Sequence, residues 1–510
     1  MKVLGVGGAA REHAIAEKLS QSKYNPKIYW IGDNRNPGIN KICIESGGEF
    51  IVGKTTDAKF VAKRAKELKV DLVFVGPEEP NFHGIPDELE KEGIPCVGAN
   101  SEVARIELSK AEMRRLQWEY DIPGKLLFKT FRSSQEAYET LKKYEDTLTW
   151  LQNVALKPAR QAGGRGVKVV EDKQIYLHEE KSKFKTHHVG WLEGYMKSYS
   201  DIEDKILIEE NVWGPEYTLQ VFTDGKSFVG MPMVQDNKNA HEFDIGTETG
   251  GMGSISGPDY PLPFLTQYEY DKSLEIVKLM VKAIQNKTGK RYCGIVAGQM
   301  MITEIEGPTI IEMYSRLGDP EALNVLSTLK TDLLDISFAV VEERLSKVNV
   351  EFERKATVVK AIAPKGYPDF RHLARNHPVI VNEEKIAEND CKLFWGSAHL
   401  EHDKIVTKGS RLVEILATGD EHDECSKRIE RVIQHVRLED GWGLFHRSDI
   451  GSNALMSKRK EIAERVRRLY QYRMERGTLG KRTDWLPGVG KIDPVKLLRE
   501  ELIVKKGGNK

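Results

Sequence analysis

The chain has 510 residues, 40% of them hydrophobic, and Lys+Arg and Asp+Glu each number 77, so its net charge is zero. That length exceeds one ordinary core and points to roughly three or four domains. The balanced charge removes any argument for bulk attraction to nucleic acid or to an acidic membrane surface. Cys43, Cys96, Cys293, Cys391 and Cys425 are widely scattered, which suits reduced thiols in a cytoplasmic protein and neither a disulfide frame nor a zinc site. The first residues are a strand and a glycine turn and do not read as a signal peptide, and no apolar run is long enough to span a membrane.

The opening hundred residues alternate in the rhythm of a parallel sheet. Strands are predicted at Val3–Val6, Lys27–Ile31, Asp71–Val75 and Pro95–Val97, with helices at Arg11–Gln21 and Ala58–Leu68. The turn Gly5-Val6-Gly7-Gly8 invites a dinucleotide reading, but it lacks a clean Gly-x-Gly-x-x-Gly, and Asp33 is a loose match for the ribose acid. A phosphate-bearing ligand at the helix N-terminus is the better expectation. Past Asn100, Ser109-Lys110-Ala111 opens a charged helix through Tyr120, which Asp121-Ile122-Pro123 breaks. Phe128 to Gly214 reads as a smaller α/β unit, with Val154–Leu156 and Lys168–Glu171 as a hairpin around a glycine loop. Strands follow at Ile206–Glu209, Tyr217–Thr223, Gly230–Val234, Val296–Ile302 and Thr309–Met313, with a helix at Glu269–Gln285. After Asn349 come strands at Ala356–Ala363, Lys404–Ser410 and Arg411–Ala417, then a helix at Glu421–Val436. From Arg473 the chain is basic and punctuated by Gly and Pro, with a short amphipathic stretch at Val495–Leu502.

Three patches carry chemistry. Lys157-Pro158 leads into Gly163-Gly164-Arg165-Gly166, where glycines let the backbone approach phosphate oxygens and the two cations neutralise them. The bland alternative is a hairpin turn with solvated basic ends; no Gly-Lys-Ser/Thr closes it as a Walker loop. Ile208-Glu209-Glu210-Asn211-Val212 ends a strand whose backbone could pair with an adenine edge, while Glu216 takes ribose hydroxyls; adjacent acids at a strand end are also often merely solvated. Glu312 ends an apolar strand and offers oxygen to a hard cation, and the amide of Gln299 lies on the preceding strand. Arg316, four residues on, is a fork suited to a substrate carboxylate, although it could simply pair with Asp319. His187-His188 has no partner at ligand spacing and reads as a surface pair, and Glu464–Arg468 as a solvated helix face.

In their order and spacing these residues resemble the glycinamide ribonucleotide synthetases (phosphoribosylamine–glycine ligases) of the ATP-grasp superfamily, over roughly residues 1 to 470. The matching runs are Arg11-Glu12-His13-Ala14, Val75 to Pro80, Ser109-Lys110-Ala111, Lys157 with its glycine loop, Gln235-Asp236-Asn237-Lys238, Thr249-Gly250-Gly251-Met252-Gly253, Arg316 to Glu321, and Arg447-Ser448-Asp449-Ile450-Gly451. The resemblance implies an α/β chain with an amino-terminal parallel-sheet (pre-ATP-grasp) domain over 1–104, a two-lobed ATP-grasp core over 105–345 with its lid lobe about 128–214, and a carboxy-terminal α+β domain over 346–472; the tail over 473–510 has no counterpart in the family pattern and no assigned role. It implies that glycine, 5-phosphoribosylamine and ATP give glycinamide ribonucleotide, ADP and phosphate through glycyl phosphate, in de novo purine synthesis, by a monomer or small homo-oligomer. Lys110, Lys157, Gly163, Gly164, Arg165, Gly166, Glu209, Glu210, Val212 and Glu216 would surround ATP. Glu312, with Gln299, would hold Mg²⁺ or Mn²⁺. Arg316 would grip the glycine carboxylate, with Asp236 near its ammonium and Gly318 and Asp319 beside it. Gly7, Gly8, Arg11, Glu12, His13, Gly76, Pro77 and Glu78 would receive the phosphoribosylamine.

The sequence departs from the family pattern at several points. Tyr314 stands where an Asn usually supplies a second metal contact, Asn237 and Asn239 replace His and Arg, and Glu248 adds a negative charge expected near the phosphates. Arg165 replaces the usual Lys and keeps its charge. Three alternatives therefore stand beside the ligase: an ATP-grasp ligase of altered substrate, an impaired paralogue with a binding role, and an oxidoreductase built on the first domain. Retention of Lys157, Glu312, Arg316 and Asp319 argues against impairment, because an idle site has no need of costly buried charge.

Overall fold

The computed structural model describes residues 1–143, 149–163, 166–170, 188–486, 488 and 490–499. Gly164, Arg165, His187 and the ends of the predicted segments at Glu171 and Leu502 lie outside those residues. The chain forms two compact units, one built from Met1–Ala104, Glu216–Gln299 and Tyr314–Ile462, the other from Arg105–Pro215, Met300–Met313 and Ala463–Lys510.

The first unit begins with a five-stranded parallel sheet of β1 (Lys2–Val6), β2 (Lys27–Gly32), β3 (Phe50–Val52), β4 (Leu72–Val75) and β5 (Cys96–Val97), in the order β3-β2-β1-β4-β5. Val3 pairs with Ile28 on one side and Leu72 on the other, so β1 is central and buried on both faces, as its unbroken apolar run demands. Helix α1 (Ala10–Ser20) starts where the Glu12 carboxylate accepts the Ala9 N–H at 2.7 Å. Helix α2 (Pro37–Glu45) was not foreseen, although its signal was present: Asn36 caps it by accepting the N–H groups of Gly38 and Ile39, and proline fills the first turn.

The same unit contains an antiparallel sheet in which Glu216–Thr223, Val234–Asp236, Gly253–Ser256, Ala356–Pro364, Val413–Gly419 and Cys391–Trp395 follow one another. The single strand expected at Gly230–Val234 is instead two, Phe228–Gly230 and Val234–Asp236. Pro232 falls between them and has no N–H for a ladder. The predicted helix Glu421–Val436 runs only from His422 to Val432; the chain then turns and Val436–Leu438 pairs with the strand Arg375–Val381, an element beyond those predicted, which ends in the β-branched run Val379-Ile380-Val381.

In the second unit, Phe128–Phe131, Ile206–Glu210, Val154–Pro158 and Lys168–Val170 make a four-stranded antiparallel sheet in that order. Its core is Phe131, Leu156, Val189, Leu192, Ile206 and Ile208. Helix Lys110–Glu119 is capped by the Ser109 hydroxyl, which accepts the Glu112 N–H at 3.1 Å. The long helix Asn453–Glu475 leads into the carboxy-terminal segment, where Asp484–Leu486 pairs with Gly490–Ile492. Among the described residues no helix is long and apolar enough to cross a membrane, and all five cysteines are unpaired.

Candidate active site

The second unit gathers the cations and acids expected around a nucleotide. Lys157, on a buried strand, donates to Glu209 Oε2 at 2.6 Å, and Arg114 Nε donates to Glu209 Oε1 at 2.5 Å. Burial alone would raise the Glu209 carboxyl, but Arg114 and Lys157 outweigh it and hold the group at about 2. Glu209 is therefore an anchor for Lys157. Lys110 begins its helix beside Glu312, the two forming an ion pair at 2.8 Å that is not aligned as a hydrogen bond. The strand end is held as well: Glu210 Oε1 accepts the Leu127 N–H at 2.9 Å, and Val212 follows two residues later.

Around the glycine loop, Gly163 and Gly166 have φ of 60° and 80°, and a Cβ on Gly166 would lie 2.7 Å from the Trp191 ring. His188 is not the surface residue expected from sequence. It is half-buried, donates from Nε2 to the Gly166 carbonyl at 2.7 Å and stacks on Trp191.

In the first unit, Arg316 Nε donates to Glu78 Oε2 at 3.1 Å, and the Arg316 guanidinium lies 4.3 Å from the centre of the Tyr314 ring. Arg11 Nε donates to Glu12 at 2.5 Å, and its Nη1 reaches the Leu317 carbonyl at 3.0 Å. Burial opposes ionisation of Glu78, but Arg316 and Arg11 prevail and keep it below its usual range. The glycines have a steric reason to be glycine: a Cβ on Gly7 or Gly76 would lie 2.6 or 2.5 Å from the Glu12 side chain. A cavity of about 450 Å³ is lined by Gly7, Gly8, Arg11, Glu12, Pro77 and Asp319. His13 is placed differently. Its Nδ1 accepts the Trp395 N–H at 2.9 Å and its ring packs on Gly38, outside that lining. Burial, then Lys41, pushes it down to about 3.

Gln299 and Glu216 belong to one hydrogen-bonded network, in which Gln299 is buried and Glu216 half-buried. The Thr218 hydroxyl donates to the Gln299 amide oxygen at 2.7 Å, the Gln299 NH₂ donates to Glu216 at 2.9 Å, and Lys238 pairs with Glu216 at 2.9 Å. Asp236 Oδ1 is buried without a hydrogen bond, and burial followed by the nearby Glu321 raises its carboxyl well above the ordinary range. Gly318 donates its N–H to Gln220 at 2.8 Å. Glu248, expected near the phosphates, is exposed on the strand Ile245–Glu248.

Sequence reasoning missed Arg411. Its Nη1 donates to the carbonyls of Gly250, Gly251 and Asp319 at 3.1, 2.8 and 3.1 Å, and its Nη2 pairs with Asp319 Oδ2 at 3.1 Å. One guanidinium thus joins the Thr249–Gly253 loop to the Asp319 loop, and Glu414 lies 3.2 Å away. No local motif marks it, since its partners lie 92 and about 160 residues away.

Three regions of the phosphoribosylglycinamide synthetase family match the chain: the N domain over 1–107, the ATP-grasp (A) domain over 108–322 and the C domain over 357–453. A phosphoribosylamine–glycine ligase of Methanobrevibacter smithii is 40% identical over 466 residues, covering 91% of this chain and 100% of its own length. One of Methanocaldococcus jannaschii is 39% identical over 471 residues, covering 92% and 100%. The crystal structure of the Thermotoga maritima phosphoribosylamine–glycine ligase superposes with a TM-score of 0.66 at 22% identity, covering 88% of this chain and 100% of that one. With three successive family regions spanning both units and relatives at 40% identity matched over their whole length, the chain belongs to the phosphoribosylglycinamide synthetase family.

Proposed function

We propose that this protein uses ATP to join glycine to 5-phosphoribosylamine, giving glycinamide ribonucleotide, ADP and phosphate in de novo purine biosynthesis. The observation that carries the reading is the retention of Lys157, Glu312, Arg316 and Asp319 in a chain matched by all three family regions. A glycine carboxylate oxygen attacks the γ-phosphorus and ADP leaves; the sugar amine then attacks the carbonyl carbon of glycyl phosphate and phosphate leaves. Such chemistry is mainly positioning and charge neutralisation.

Lys110, Lys157 and Arg165 neutralise phosphate oxygens, and Gly163, Gly164 and Gly166 let the backbone approach them. Glu209 aims Lys157, the backbone from Glu210 to Val212 meets the adenine edge, and Glu216 takes the ribose. Arg316 clamps the glycine carboxylate, with Gly318 and Asp319 shaping the loop behind it. The glycine ammonium favours the ionised form of Asp236, which burial and Glu321 otherwise oppose. Gly7, Gly8, Arg11, Glu12, Gly76, Pro77 and Glu78 hold the phosphoribosylamine, and His13 sets the position of their helix. The four-part division at residues 104, 345 and 472 fits this allocation. The cytoplasm suits five unpaired thiols, and a monomer or small homo-oligomer is the proposed state.

Mg²⁺ or Mn²⁺ fits the donor set through Glu312, a nearly buried carboxylate whose charge is met by Lys110 at 2.8 Å. Such ions take one or two protein carboxylates beside phosphate and water, so Gln299 is an auxiliary donor through its second lone pair. When bound, the ion neutralises charge on the phosphates. Release of ADP that needs both glycine and freshly generated phosphoribosylamine tests the assignment; ADP release indifferent to glycine would sink it. Glu312→Ala should abolish turnover while the chain still melts cooperatively, at a lowered temperature because the buried Lys110 loses its ion pair with Glu312.

A further inference from the structure

The segment beyond the long helix lies outside what the family regions cover, since the last of them ends at residue 453. The Methanocaldococcus jannaschii relative, matched over 100% of its own length, accounts for 92% of this chain. In the structure this extra segment is seated in the second unit. Gly480 donates its N–H to the Ile305 carbonyl at 2.8 Å, Arg499 pairs with Asp121 at 2.7 Å, and Leu498 is buried. Between these anchors Arg482 enters the protein, with only 9% of its side chain exposed.

All five N–H bonds of that guanidinium have acceptors. Nε donates to Glu210 Oε2 at 3.3 Å, Nη1 to Glu306 Oε1 at 2.6 Å and to the Gly480 carbonyl at 2.7 Å, and Nη2 to the Lys125 carbonyl at 3.0 Å and to Glu210 Oε1. Glu210 and Glu306 have side chains only 6% and 9% exposed. Burial raises the Glu306 carboxyl, Arg482 opposes the rise and Glu210 adds to it. Without the guanidinium two buried carboxylates would face each other, an arrangement that is destabilising unless one takes a proton.

We infer that Arg482 is a positioning residue for the nucleotide, a clamp supplied by the carboxy-terminal extension that fixes the strand end Glu209–Val212 to the turn at Glu306 and the segment Lys125–Leu127. The inference rests on the reading that this strand end meets the adenine. Glu210 would offer the ligand its carbonyl, since its N–H donates to the Leu127 carbonyl at 2.9 Å and its side chain is spent on Leu127 and Arg482. An affinity that depends on a few backbone groups is sensitive to small displacements, so loosening the clamp acts on ATP before it acts on glycine.

The test uses full-length Arg482→Ala, Arg482→Lys and the double variant Arg482→Ala/Glu306→Gln, with Glu209→Gln as a control. ATP affinity is read by calorimetry, and ATP and glycine saturation by steady-state kinetics. Arg482→Ala should weaken ATP about tenfold, or about 1.4 kcal/mol, with glycine KM unchanged within twofold. Arg482→Lys, a point charge in place of a fork, should recover part of that loss. The double variant relieves the like-charge repulsion and should melt like the wild type while still binding ATP weakly. Wild-type ATP affinity in the double variant, or in a folded Arg482→Ala, would overturn the clamp. Should Arg482→Ala fail to fold, the lysine and double variants decide. If Glu209→Gln also leaves ATP affinity unchanged, the nucleotide assignment of the strand end falls with it; if only Glu209→Gln weakens ATP, the clamp alone is wrong.

Discussion

Arg316 shows how a residue chosen for its chemistry gains its geometry from neighbours remote in sequence. Glu78 fixes one edge of its guanidinium and Tyr314 lies beneath its face. Arg316→Ala should weaken glycine use far more than ATP use, by on the order of 2–4 kcal/mol of transition-state stabilisation, because a charge-assisted fork is lost. Equal effects on the two saturation curves would count against the clamp. The departure at Tyr314 takes on a positive role in this setting. Cation–π contacts are worth about 0.5–1 kcal/mol at partly exposed sites, so Tyr314→Asn should raise glycine KM by about two- to fivefold and leave ATP KM unchanged. An unchanged glycine KM would show that the ring does not hold Arg316.

At the scale of elements, the glycine loops were legible because their residue types admit few alternatives, whereas the residue that joins them was not. Arg411 lies two residues before the strand Val413–Gly419 and reads locally as an ordinary surface arginine. Only the packing brings it against Gly250, Gly251, Asp319 and Glu414. Removing one partner of a buried ion pair costs about 3–5 kcal/mol, and Arg411→Ala should lower the unfolding free energy by that order in urea titrations. Arg411→Lys should restore less than half, since an ammonium cannot serve several carbonyls and a carboxylate at once. Full rescue by lysine would show that charge alone matters. The split of Gly230–Val234 follows similar logic: the β-rich pattern was right, and the strand boundary turned on a proline with no N–H to give.

For the molecule as a whole, His13 links the site to stability against acid. Folding lowers it from 6.5 to about 3 through burial and then Lys41. Below pH 6.5 the unfolded chain therefore takes up a proton that the folded chain refuses until about pH 3. Its contribution is fully present above 6.5 and is lost as the pH falls through that window. The slope is about 1.4 kcal/mol per pH unit for one proton. His13→Asn, whose amide oxygen can still accept the Trp395 N–H, should reduce the stability difference between pH 7 and pH 5 by about 2 kcal/mol. Chemical denaturation of both proteins at the two values checks this, and parallel pH profiles would refute it.

The sequence by itself determined the parallel opening sheet, the glycine loops, the acids and cations proposed to carry the chemistry, and the family. Those features are local: apolar runs set strands, glycine admits backbone angles and close approaches closed to other residues, and motif spacing is read along one chain. Tertiary structure alone decided which charges neutralise which. It paired Glu209 with Arg114, Glu312 with Lys110, Arg411 with two loops and Arg482 with Glu210 and Glu306. It also turned His13 from a site residue into a helix anchor. The physical reason is that a buried charge is held by whatever opposite charge and hydrogen bonds the fold brings within about 3 Å, and that neighbourhood joins residues as far apart as Arg482 and Lys125, 357 positions.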